Sequence, residues 1–171
     1  MTLKQKFALG WLVWFGLVML VMVAAIGTAH AAPPDFTGKV VGVHDGDTLT
    51  VLADGAEHKI RLAEIDAPET KQAFGTRAKQ TLSDLCFGQQ AIVSPVVTDK
   101  YGRTVGKVRC NGIDASIYQA ENGMAWAYLK YLMPSSLIPA AESIARAEKR
   151  GLWIDPDPSP PWLFRHKPKE L

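Results

Sequence analysis

Between residues 39 and 65 three short runs rich in β-branched residues follow one another with almost nothing between them. Lys39-Val40-Val41-Gly42-Val43 and Thr48-Leu49-Thr50-Val51-Leu52 are linked by His44-Asp45-Gly46-Asp47, and the second runs into the turn Ala53-Asp54-Gly55. From His58 to Ile65 the pattern alternates, with Ile60, Leu62 and Ala63 apolar and Lys59, Arg61 and Glu64 polar. Parallel neighbours need a crossover of roughly a dozen residues or more, so links this short restrict the three strands to antiparallel pairing. The reading is a meander, ended by Pro68, which has no N–H to give a strand ladder.

The rest of the chain completes a small domain. Thr76 to Leu85 has helical spacing through Phe74, Ala78, Leu82 and Leu85, and Gly88 stops it. Gln90 to Val97 and Val105 to Cys110 are two further strands joined by a turn at Asp99 to Gly102, and Asn111-Gly112 is another turn signal. A short helix is expected over Ile113 to Glu121, ended by Asn122-Gly123. A last helix is expected over Ser136 to Arg150, with Pro139 in its first turn and Ala140, Ile144 and Ala147 facing inward. Gly151 ends it, and Leu152-Trp153 should pack back on the core. Five short strands with an inserted helix suit an α+β domain built on a five-stranded Greek-key barrel of the OB type with about three helices. Its span is residues 38–154, after a linker at 32–37 and before a proline-rich, mostly extended tail at 155–171.

Residues 7–27 carry no charge, Lys4 and Lys6 precede them, and Ala29-His30-Ala31 follows. That order marks a secretory signal peptide cut after Ala31 and places the protein outside the cell or in the periplasm. The run is also long enough to cross a bilayer, which makes an uncleaved membrane anchor the alternative. Loss of residues 1–31 removes two lysines and no acids, so 19 basic and 17 acidic residues become 17 and 17. A neutral domain has no bulk attraction for nucleic acid, and any affinity for phosphate must be local. Cys86 and Cys110 are spaced too far apart for a CxxC redox or zinc motif. They are either a disulfide closing a loop of about 25 residues, as export permits, or two buried thiols.

The chemistry gathers at strand ends. Asp47 stands where the second strand begins and Asp66 where the third ends, and in an antiparallel meander those ends are neighbours. Two carboxylates, a backbone carbonyl and waters make a site for Ca²⁺, a hard cation with flexible oxygen coordination. Glu69, across Pro68, can stand near the metal as a general base. Arg61 on the third strand and Arg103 after the turn Asp99-Lys100-Tyr101-Gly102 can grip phosphate oxygens and stabilise added charge on phosphorus. Tyr101 can stack on a base, beside Lys100. Each piece alone is commonplace. Asp-Gly-Asp-Thr is usually an Asx turn, and Lys-Tyr-Gly-Arg is usually a hairpin loop. The conjunction is what points to metal-assisted cleavage of a phosphodiester.

Asp45-Gly46-Asp47-Thr48, the run from Arg61 to Thr70, and Asp99 to Arg103 together resemble the thermonuclease, or staphylococcal-nuclease-like, family. The likeness extends from about residue 38 to residue 153 and includes Gly151-Leu152-Trp153. The resemblance implies an OB-fold barrel and Ca²⁺-dependent cleavage of DNA and RNA to 3′-phosphate ends. It makes Asp47 and Asp66 side-chain metal ligands, with the Ala67 carbonyl as a third. It makes Arg61 and Arg103 phosphate-binding catalytic residues and Glu69 the general base. It makes Tyr131, ahead of Tyr128, the nucleotide-binding tyrosine. DNA and RNA are the expected partners, of a monomer. A non-catalytic OB module is the competing class, but the five candidate side chains Asp47, Arg61, Asp66, Glu69 and Arg103 are all present. Trp126, Trp153 and Trp162 read as packing residues, and the cluster Arg165 to Lys169 as a solvated tail.

Overall fold

The computed structural model describes residues 33–166, which form one compact body. The uncharged run at 7–27 and the last five residues lie outside it. Among the described residues, no helix is long and apolar enough to cross a membrane.

The meander forms, but its third strand stops at Leu62 rather than Ile65, because the chain turns at Ala63-Glu64, with Glu64 at a φ of 69°, and Asp66 falls in a separate short strand. Strands β1 (Phe36–Val43), β2 (Thr48–Ala53) and β3 (Ala56–Leu62) pair antiparallel in sequence order. The first strand reaches back into the stretch expected as linker, because Phe36 to Lys39 pair with Val93 to Gln90. A two-residue strand β4 (Ile65–Asp66) leads into helix α1 (Gly75–Cys86). Strands β5 (Gln90–Thr98) and β6 (Thr104–Cys110) follow, then β7 (Ile113–Asp114), α2 (Ala115–Glu121) and β8 (Trp126–Ala127). Helix α3 (Ile138–Ala147) and a single turn α4 (Pro161–Phe164) end the description, with one-turn 3₁₀ segments at Leu129–Tyr131 and Gly151–Ile154. The sheet runs β3-β2-β1-β5-β6, and β3 then pairs in parallel with β6, Ile60 opposite Thr104 and Arg61 opposite Val105. That pairing closes a five-stranded barrel. Register irregularities at Val40/Gly42 and Pro95/Val97 bend the strands for closure. Pro95, which has no N–H to give the ladder, sits at one of them.

Inward residues of the barrel, Val40, Leu49, Val51, Ile60, Leu62, Val93 and Val108, are fully buried. Each contributes about 1.5–3 kcal/mol of transfer free energy. Helix α1 covers one opening with Ala78, Leu82 and Leu85, the apolar stripe seen in its sequence. Cys86 and Cys110 are joined as a disulfide that ties the end of α1 to the end of β6.

Two expectations are corrected. The inner face of α3 is Ile138, Ala141 and Ala145, while Ile144 is half exposed and Ala140 and Ala147 do not enter the core. Ile138 and Ala141 join the main core and Ala145 meets Trp126 and Trp153, so the helix is turned about one position from the expected phase, and Ala145 rather than Ile144 faces the two tryptophans. The described part of the tail, residues 155–166, is docked rather than solvated: Pro161 is buried, and Trp162 packs against the cluster of Trp126 and Trp153.

Candidate active site

The acidic link between β1 and β2 and the end of β3 meet at one rim of the barrel. Thr48 pairs with Arg61 across the sheet, and the Leu62 N–H donates to the Asp47 carbonyl at 2.7 Å. The Asp47 carboxylate is held on both sides. Its Oδ1 accepts from the Thr48 hydroxyl at 2.9 Å and its Oδ2 from the Ala67 N–H at 2.9 Å. Asp45 folds back to accept from the Asp47 N–H at 3.0 Å. Burial, and then the neighbouring Asp47 charge, push the Asp45 carboxyl up to about 6.

Glycine is required here for space. A Cβ on Gly46 would stand 2.6 Å from the Ala78 Cβ and 2.8 Å from the Ala67 Cβ. The loop is thus wedged between α1 and the segment after Asp66. Gln119 of α2, fully buried, staples it by donating to the Gly46 and Ala78 carbonyls.

Asp66 is buried, with Arg61 beside it. Arg61 Nη1 donates to the carbonyls of Leu62 and Ile65 at 3.2 and 3.0 Å. Its Nη2 donates to Asp66 Oδ1 at 2.9 Å and stands 3.4 Å from Asp47 Oδ2. One nitrogen therefore bridges both carboxylates. Burial raises the Asp66 carboxyl against the pull of its arginine partners.

Glu69 lies at the half-open rim of the same site. Its N–H donates to Gln72 Oε1 at 3.2 Å, and its carbonyl accepts from the Gln72 N–H at 2.8 Å. Gly75 allows α1 to start against this loop, since a Cβ there would lie 1.9 Å from the Glu69 carbonyl oxygen.

Arg103 is placed separately. Its Nε donates to Asp99 Oδ2 at 2.8 Å, and it lies 5.6 Å from the ring centroid of Tyr101. Tyr101 is largely exposed, with Lys100 on its ring at 5.0 Å. Because Arg61 is opposite Val105, Arg103 comes two residues before that partner, on the neighbouring chain segment just ahead of β6. It shares a wall with Arg61 and does not touch the carboxylates. Tyr131 packs edge-on to Tyr128 at 4.8 Å and is half exposed. Buried Glu64 anchors that turn, its carbonyl accepting from the Tyr128 N–H and its carboxylate from the Met133 N–H.

Among the described residues, no three His, Cys, Asp or Glu side chains converge tightly enough to hold an ion unaided. The donors are Asp47 and Asp66, with the backbone at Ala67 close by. They still fit a hard cation: every donor is oxygen, both carboxylates are buried, and the Arg61 guanidinium already occupies the positive position between them. Gln72, Gln119 and Glu64 were not legible as site residues, because uncharged or isolated polar side chains carry no pattern in a sequence. Arg165, in the stretch expected to be a solvated tail, reaches Asp66 and Glu69 directly.

The staphylococcal nuclease homologue family matches residues 59–155. A micrococcal nuclease of Shigella flexneri is 42% identical over 147 residues, covering 79% of this chain and 83% of that protein. An uncharacterized endonuclease of Escherichia coli O157:H7 is 39% identical over 134 residues, covering 78% and 87%. The staphylococcal-like nuclease CAN1 of Arabidopsis thaliana is 36% identical over 107 residues, 63% of this chain and 33% of that longer protein.

Proposed function

The chain belongs to the staphylococcal nuclease family, and from that premise we propose that it is an exported, Ca²⁺-dependent endonuclease that cleaves DNA and RNA and leaves 3′-phosphate ends. The observation that carries the reading is the buried pair Asp47 and Asp66, bridged by one nitrogen of Arg61, with Glu69 on the rim beside them. Asp47, Asp66 and the Ala67 carbonyl would hold the metal, which when bound supplies charge neutralisation at the phosphate.

The protein's own groups account for the rest. Glu69 accepts a proton from a water placed in line with the bond between phosphorus and the 5′ oxygen. That bond breaks as the new one forms, the departing oxygen takes up a proton, and phosphate stays on the 3′ side. Arg61 and Arg103, on one wall of the barrel, offset the charge that builds on the phosphoryl oxygens. Tyr101 and Lys100, beside Arg103, and Tyr131, packed on Tyr128, would stack on flanking nucleotides or pair with their charge. Export is supported by the uncharged run at 7–27 ahead of Ala29-His30-Ala31, and by a disulfide suited to an oxidising compartment.

Plasmid DNA and RNA are digested with the purified full-length chain, in Ca²⁺ and in chelator, alongside Glu69→Gln. Cleavage should require Ca²⁺ and fall about 10²–10⁴-fold in the variant. The products should resist 3′ extension until treated with phosphatase. Chelator-insensitive cleavage, or a fully active Glu69→Gln, overturns the mechanism. Intact nucleic acid that stays bound would instead mark a binding module. A mature N-terminus other than Ala32 in the exported fraction overturns the leader assignment.

A further inference from the structure

The C-terminal segment enters the site it was expected to leave alone. Gln72, which holds Glu69, also donates to the Ser159 carbonyl. Trp162 lies flat on Tyr128, centroids 5.9 Å apart and planes 7° from parallel, and meets Trp126 edge-on at 6.4 Å. These contacts deliver Arg165. Its Nη2 donates to Asp66 Oδ2 at 2.7 Å, and its Nη1 donates to Glu69 Oε1 at 2.7 Å and to Asp66 Oδ1 at 3.3 Å. A single guanidinium claims both oxygens of Asp66 and one of Glu69.

Under the reading above, those groups are a metal ligand and the general base. A divalent ion on Asp66 needs the same lone pairs and repels the guanidinium at close range. The two cations cannot share the site at full strength. From this juxtaposition we propose that residues 159–166 are a built-in competitor for the metal: Arg165 holds the carboxylates when the strap is docked, and metal entry ejects it. Ejection frees Glu69 to meet water. It also lifts Trp162 from Tyr128 and exposes that ring beside Tyr131.

Several features suit a reversible strap. The Arg165 side chain is 39% exposed, so water can help it leave. It brings one positive charge against the ion's two. Its anchor is stacking and one side-chain hydrogen bond rather than a sheet or a long helix.

The proposal rests on Asp47 and Asp66 being the metal ligands, and the test separates the two ideas. Ca²⁺ affinity is measured by calorimetry on the full-length chain, on Arg165→Ala and on Asp66→Asn, with no substrate present. Independently, trypsin cleavage after Arg165 is followed in the unaltered chain with and without Ca²⁺. Arg165→Ala should bind Ca²⁺ about tenfold more tightly, on the scale of one charge-assisted contact removed from competition. Asp66→Asn should lose binding, and Ca²⁺ should speed the cut after Arg165. Equal affinity in the parent and Arg165→Ala, or a cut that ignores Ca²⁺, overturns the strap and leaves the metal reading standing. Failure of all forms to bind Ca²⁺ overturns both.

Discussion

Gly46→Ala tests whether close packing, rather than the carboxylates alone, builds the metal position. The backbone conformation at Gly46 is open to any residue, since it is absent from the positive-φ glycines, so the change probes space only. The new methyl would stand 2.6 Å from the Ala78 Cβ and 2.8 Å from the Ala67 Cβ. Both distances are about 1 Å short of the carbon–carbon optimum. Neither alanine has a rotamer to yield, so either α1 or the segment at Ala67 must move by that amount. Overpacking of this kind costs about 1–3 kcal/mol. In a chain of this size that corresponds to a fall in Tm of roughly 2–12 °C. The same shift separates Asp47 from Asp66, and a displacement of about 1 Å at a reacting centre costs on the order of 10²-fold in rate. Thermal unfolding by circular dichroism and plasmid cleavage rates read the two effects. Gly55→Ala is the control: its φ of 78° makes alanine strained, but nothing lies within 4 Å of the new methyl. It should lower Tm while leaving cleavage intact. A Gly46→Ala protein with a Tm within about 1 °C of the parent and full cleavage would refute the reasoning, since the overpacking cost could not then be present.

Arg61→Lys keeps the charge but loses the fork that reaches two carbonyls and both carboxylates, and kcat/KM should fall about 10²–10³-fold in initial-rate assays. Replacing Cys86 and Cys110 together by alanine releases a loop with a sequence separation of 24. The chain-entropy relation gives about 3.5 kcal/mol for it, measurable as a lower urea midpoint. Asp99 supplies a pH prediction. Burial is the largest single influence and pushes its carboxyl up, but the hydrogen bonds from Arg103 and Tyr101 together hold it below the usual aspartate value. A depressed folded pKa means that its contribution is complete above the unfolded value of about 4 and is lost as pH falls through the lower folded value. Amide shifts of Tyr101 and Arg103 should therefore hold steady down to roughly pH 4 and change below it. Movement of those amides between pH 5 and 7 would contradict this account.

The nearness of Asp47 to the end of β3 was legible because short links force an antiparallel meander, whereas the turn at Ala63-Glu64 that carries Asp66 back to it, through the Ala67 N–H and Arg61, was not. The stripe of α1 was legible because a 3.6 spacing survives whatever packs against it. The phase of α3 was not, since Ile144 looked like the natural core residue and only the tertiary fit shows that Ala141 and Ala145 permit the approach. Cysteine spacing left pairing open, and the fold closed the question by bringing the end of α1 to the end of β6. Arg165 was illegible for a different reason. A charged residue in a proline-rich tail has the composition of a solvated segment, and its partners lie about a hundred residues earlier in the chain.

The parallel junction of β3 with β6 also bears on the order of events in folding. Every other long strand pair of the barrel except β1 with β5 is a hairpin between sequence neighbours, whereas Ile60 and Thr104 are far apart in the chain. Contacts of high sequence separation bear the loop-closure entropy before they are rewarded, and they tend to form late. Arg61 and Arg103 stand on opposite sides of that junction. A nascent or refolding chain can thus hold its meander, its helix and its carboxylates and still lack a common wall for the two arginines. Refolding followed by plasmid cleavage and by far-ultraviolet circular dichroism should therefore show cleavage returning after the secondary structure.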